Sequence, residues 1–198
     1  MKIAKTCLPE TSILSNQQND YSDSFKAIIP DPENQIAIDD IAKAFFLSAP
    51  KWVEKLMKIR DSLVGFLGLK TTSKLGSRDE ILANIKCKVG DQLGLFKVFY
   101  KTANEVVLGE NDKHLNFRVS LLYESNSDFP DVKNVIITTT VKFNNLFGKL
   151  YFLPVKPIHG LIVPAMLRGT VKQLELILIE RNGENKSSSI LSQQPPLY

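Results

Sequence analysis

The stretch Val106–Glu124, VVLGENDKHLNFRVSLLYE, decides how this chain is read. Two runs rich in Val, Leu, Phe and Tyr flank GENDK, which supplies the Gly, Asn and Asp that tight turns use. The stretch therefore predicts a β-hairpin. In its second arm, alternation puts Leu115, Phe117, Val119, Leu121 and Tyr123 on one face and His114, Asn116, Arg118 and Ser120 on the other. One-sided antiparallel strands bury the apolar face and wet the polar one. The apolar set is thus expected against a helix or a cavity, with His114 and Arg118 in water. With the faces reversed, Arg118 would line the inside and grip a carboxylate or phosphate bidentately.

Working outward, LGLFKVFYKT precedes the hairpin, and VIITTTVKFNN and GKLYFLPV follow it. All are rich in β-branched and aromatic residues. They are separated by short turn signals, AN, SNSDFPDVKN and NLFG, which leave no room for parallel crossovers, so an antiparallel meander is expected. On the N-terminal side, YSDSFKAIIP predicts a strand over Asp23–Ile29, stopped by PDPEN. Two helices then follow. IAIDDIAKAFFLSAP places Ile38, Ile41 and Phe45 on one helical face. Pro50 opens the second helix, in which Trp52, Leu56, Ile59, Leu63 and Phe66 recur at spacings of 4, 3, 4 and 3. Such a stripe faces a core, and Arg60 borders it. Residues 70–92 are rich in Lys, Ser and Gly, with RDEILANIKC as a short helix.

Beyond the meander, KPIHGLIVPAMLRGTVKQLELILIE predicts a C-terminal helix opening at Pro157. Ile158, Leu161, Ile162, Ala165 and Met166 share a face, and Pro164 kinks the helix. LELILIE alternates and fits a strand as well as a helix. Residues 1–20 read as a polar, loosely ordered arm, 21–180 as a single domain, and 181–198 as a disordered tail.

Composition narrows the functional classes. The 198 residues are 43% hydrophobic and 23% charged, as in ordinary globular chains. The net charge is +4, but the lysines are scattered among acids, so no phosphate-binding stripe forms and nucleic acid is not an expected partner. Cys7 and Cys87 form no CxxC and read as reduced thiols, which points to the cytoplasm. The N-terminus lacks the apolar core of a signal peptide, and no run of ~18 uninterrupted apolar residues predicts a membrane span. GxGxxG, GxxxxGK[ST] and GxSxG are all missing. His114 and His159 lie 45 positions apart without neighbouring ligands, so neither a metal nor another cofactor is expected.

The order strand, two helices, antiparallel strands, long C-terminal helix resembles the helix-grip fold of START-like and birch-allergen-like (SRPBCC) proteins. More specifically, FFLSAPKWVEKLMKIRDSLVGFLGLK, NEVVLGENDKHLNFRVSLL and PIHGLIVPAML are similar to a bacterial domain-of-unknown-function family placed in that superfamily, over roughly residues 20–170. The resemblance implies an α+β domain in which a curved antiparallel sheet grips the C-terminal helix, often around an apolar cavity. It implies no single activity, because fold does not set function. The leading expectation is a non-enzymatic binding module for a small hydrophobic or amphipathic ligand. Arg60, Phe117, Arg118, Tyr123, Tyr151, His159, Ile162 and Met166 are its candidate site residues. A cyclase- or hydrolase-type enzyme using the same cavity is the second expectation. A protein-interaction domain with a filled core is the third.

Overall fold

The computed structural model describes residues 2–53, 55–56, 87–93 and 96–191, with side chains up to residue 183. The hairpin lies near the middle of a seven-stranded sheet, every neighbouring pair of which is antiparallel. The strands are β1 (Ala4–Thr6), β2 (Tyr21–Pro30), β3 (Gln92–Leu93), β4 (Phe96–Lys101), β5 (Glu105–Asn111), β6 (Leu115–Ser125) and β7 (Val132–Phe143), in the spatial order β1-β2-β7-β6-β5-β4-β3. Two α-helices are described over their full bounds, α1 (Ile38–Leu47) and α2 (Leu146–Leu191), and residues 51–53 are helical as well. The α+β architecture expected of the sequence, a curved antiparallel sheet followed by a long C-terminal helix, is the one present.

Register explains why the alternation is legible. Leu121 faces Val106 on one side and Ile137 on the other, so three apolar side chains meet across three strands. This inner face, with Phe25, Ala27 and Ile29 of β2, packs against Val163, Met166, Leu167, Val171 and Leu174 of α2. Gly109 is obligatory here: a Cβ on it would run into the Phe117 carbonyl of the paired strand.

The run GKLYFLPV, expected as a strand, is instead the opening of α2. Two local features outweigh its β-rich composition. The Asn145 side chain accepts from the Gly148 amide at 3.0 Å, a helix N-cap. Leu146, Leu150 and Leu153 then follow the helical period. Pro157 accordingly lies inside the helix rather than in its first turn, as do Pro154 and Pro164. Each proline removes one amide donor from the i→i−4 ladder. LELILIE also continues as helix, because Leu174, Ile177 and Leu178 reach the core at i, i+3 and i+4.

The N-terminal arm is docked. β1 pairs with β2, and Ser12 and Leu14 are buried. Glu105, itself buried, clamps the arm: its Oε1 accepts from Ser12 Oγ (2.6 Å) and Ser120 Oγ (2.5 Å), and its Oε2 accepts from the Ile13 amide (3.0 Å). The polar face of β6 is therefore wet only toward its start. Ser120 is fully buried under the arm, and Ser24 Oγ bonds Thr138 Oγ1 at 2.8 Å on the same face.

α1 lies against α2. A Cβ on Gly169 would sit 2.7 Å from Ser48 Cβ, so the crossing is tight. Arg181 near the end of the described side chains forks onto Asp40, with two contacts of 2.9 Å. Trp52, expected in a core stripe, is 42% exposed, while its neighbour Val53 is buried. Ile59, Leu63 and Phe66 of that stripe, and Arg60 beside it, lie outside the described residues.

Candidate functional site

Polar side chains are few on the inner face, and one group of them lies under α2. Asp23 of β2 and Thr139 of β7 are register partners. Alternation places them on the same face as Phe25 and Ile137, under α2. α2 brings His159 over the pair, with Nδ1 3.0 Å from Asp23 Oδ2. The Tyr21 hydroxyl donates to the same oxygen at 2.9 Å. With the carboxylate as acceptor, His159 Nδ1 is the donor, and in the neutral tautomer Nε2 is then an acceptor.

Burial makes this cluster chemically distinctive. The Asp23 side chain is 4% exposed. Among the described residues, Asp23 Oδ1 and Thr139 Oγ1 are two of three buried side-chain oxygens without a hydrogen-bond partner, the other being Gln35 Oε1. Leaving such an atom unpaired costs ~1–3 kcal/mol, more when it carries charge, and buried polar groups are usually satisfied. Burial, then the hydrogen bond from its hydroxyl to Asp23, push the Tyr21 phenol well above its ordinary range, so it stays a donor at neutral pH.

Aromatic rings lead from this cluster to the surface. Tyr21 packs edge-on to Phe152, with centroids 4.8 Å apart, and Phe152 meets Phe143 at 5.6 Å. Lys156 Nζ stands 5.4 Å above the Tyr21 ring. Phe143 lines a solvent-open groove of about 440 Å³, with Asp20, Asn144, Asn145, Leu146 and Lys149. Nothing in the cluster is a poised covalent nucleophile. It offers a carboxylate oxygen, a hydroxyl and a carboxylate-oriented imidazole, a set suited to holding a hydrogen-bond donor or moving a proton. Among the described residues no group of three or more His, Cys, Asp or Glu is placed to hold a metal.

The residues singled out from the sequence divide between several places. His159 reaches Asp23. Tyr151 is half-buried on the same helix, Ile162 packs against the core, and Met166 is inside it. Phe117 is on the inner face, edge-on to Phe96 at 5.8 Å. Tyr123 is buried there too, but its hydroxyl donates to Asp31 Oδ2 at 2.7 Å. Burial, followed by that bond, raises its phenol well above the usual range. Asp31 also accepts from the Gln35 and Ile36 amides (2.8 and 3.1 Å), so Tyr123 secures the turn into α1.

Arg118 lies on the opposite face from His159, so the two do not converge. Its guanidinium donates to the Phe117 carbonyl (2.8 Å) and to Asn111 Oδ1 (2.7 Å), and it stacks 3.6 Å over the Phe99 ring. Burial lowers its pKa. Arg60 lies outside the described residues. Sequence reasoning missed Tyr21, Asp23 and Thr139. A signal existed for one of them: Asp23 interrupts the apolar alternation that Phe25, Ala27 and Ile29 continue.

No curated protein and no solved structure matches the chain. A family model described as "Protein of unknown function (DUF2867)" matches residues 16–166, well over half the chain, and the chain belongs to that family.

Proposed function

We propose that this protein is a binding module for a small amphipathic ligand held between the sheet and α2. The observation that carries this reading is the pair of unpartnered buried oxygens, Asp23 Oδ1 and Thr139 Oγ1, on residues of the sheet face that α2 covers. A ligand hydroxyl or amine donates to Asp23, and its apolar body follows the rings of Tyr21, Phe152 and Phe143 toward the groove. A carboxylate head is disfavoured, since it would face the Asp23 charge. The helix-grip order of elements supports the reading, because START-like proteins use that place for apolar ligands. A cytoplasmic setting suits the two free cysteines, Cys7 exposed and Cys87 buried.

Native mass spectrometry of the freshly purified chain tests it, with thermal-shift titrations of decanol, decylamine and decanoate. The alcohol or amine should stabilise the protein, the carboxylate should not, and Thr139→Val with Asp23→Asn should abolish the gain. No bound mass and no response to either donor probe would overturn the reading. A second reading, a cyclase- or hydrolase-type enzyme, is favoured by the Asp23–His159 pair, since a carboxylate-oriented imidazole is a general base. His159→Gln separates the two: it should leave uptake intact in a binding module.

A further inference from the structure

We propose that the outer face of the first part of α2 is a docking surface for an anionic membrane, on which the helix lies without crossing. Leu146, Leu150, Leu153 and Leu161 are 71%, 56%, 60% and 68% exposed. They fall on one side of α2, with exposed Pro157 between them, and Ile158 and Phe147 extend the patch. From Leu146 to Leu161 the strip runs ~22 Å at the rise of an α-helix. Soluble monomers rarely leave apolar patches of such extent uncovered.

Charge identifies the occupant. Between residues 146 and 174 the helix has no Asp or Glu, but it carries Lys149, Lys156, Arg168 and Lys172, all exposed. Lys149 borders the leucine strip, and exposed Lys156 lies on its sheet side, with Nζ over the Tyr21 ring. Further along, the same side of the helix carries Arg168 and Lys172, then exposed Glu175 and Ile179 beyond the acid-free stretch. On the neighbouring loop, Asp20 shares the groove with Lys149, and its carboxylate accepts from the Phe143 amide at 2.7 Å. Apolar residues flanked by lysines are the composition of helices that lie in a headgroup layer, where the stems snorkel and the ammonium groups meet lipid phosphates. A second copy of this chain would set cations against cations, whereas an anionic bilayer complements them. Leu146–Gly183 is also long and apolar enough, by length and composition, to cross a membrane, with 22% of its most apolar window buried. Crossing would pull Val163, Met166, Leu167, Val171 and Leu174 out of the core, so the helix lies on the surface.

Vesicle flotation of the full chain tests this. With phosphatidylcholine–phosphatidylglycerol vesicles at low salt the protein should float. On phosphatidylcholine alone, or in high salt, binding should fall ~tenfold or more. Leu150→Glu with Leu153→Glu changes only exposed positions, so the melting temperature should hold while flotation drops ~tenfold or more. Lys149→Glu with Lys156→Glu should remove the preference for anionic lipid. Absence of flotation on anionic vesicles would overturn the proposal, as would equal flotation on both vesicle types. A dimer that the leucine variants dissolve, without flotation, would assign the face to a second copy instead.

Discussion

Asp23 and Thr139 face each other across β2 and β7, and each keeps one buried oxygen without a hydrogen-bond partner. Beyond Tyr21 and His159 the core around them is hydrocarbon, and the pair is the one place on the described inner face where buried polar atoms are left without a partner at cost. Thr139→Val keeps the shape and removes a hydroxyl that bonds nothing. The free protein should be unchanged or stabilised by up to ~1 kcal/mol in chemical denaturation. A loss of ~2 kcal/mol or more would mean that the hydroxyl is satisfied, and the proposed ligand contact would go with it.

The arm should be as much part of the fold as the sheet. Glu105→Ala leaves the Ser12 and Ser120 hydroxyls and the Ile13 amide without their acceptor. The expected cost is ~2–4 kcal/mol. Limited proteolysis should then cut first between residues 2 and 20. An intact arm and an unshifted denaturation curve would show that the clamp contributes little.

Stability should fall on the alkaline side. Burial raises the Cys87 thiol from 9.0 to about 11, and burial likewise raises Tyr21 and Tyr123 above their ordinary 10.0. In each case the folded state holds its proton more tightly than the unfolded one. The contribution is fully present below the unfolded pKa and is lost as pH rises through the folded value. For Cys87 that loss runs between pH 9.0 and about 11. Denaturation midpoints should decline across this window, and Cys87→Ala should flatten the decline. An equal slope in the variant would locate the titration elsewhere.

Gly169 sets the distance between α1 and α2. Gly169→Ala gains up to ~1 kcal/mol of helix propensity, but its Cβ would meet Ser48 Cβ at 2.7 Å and the Ser48 carbonyl oxygen at 2.9 Å. Backbone cannot move aside cheaply, so overpacking should win, at ~1–3 kcal/mol net loss. A raised melting temperature would show that the crossing can open.

Much of the sheet was legible because its periodicity is local. The alternation Leu115-Phe117-Val119-Leu121-Tyr123 needs only neighbouring residues to declare a buried face, and the turn GENDK needs only its own backbone preferences. The interior face, the antiparallel order and the long C-terminal helix followed from that. The start of α2 did not, because GKLYFLPV has strand composition, and the competing cap from Asn145 is a single hydrogen bond. The docked arm was hidden for a different reason. Its SNQQND reads as solvent-loving, while Glu105, the acceptor that holds the arm at Ser12, lies 93 positions away. The site is the extreme case. Tyr21 and Asp23 are close in sequence, but Thr139 reaches Asp23 through strand register and His159 through the path of α2. Local preference determines which face a side chain takes. Which distant groups share that face is decided only when the chain closes on itself, because burial and hydrogen bonding act across space rather than along sequence.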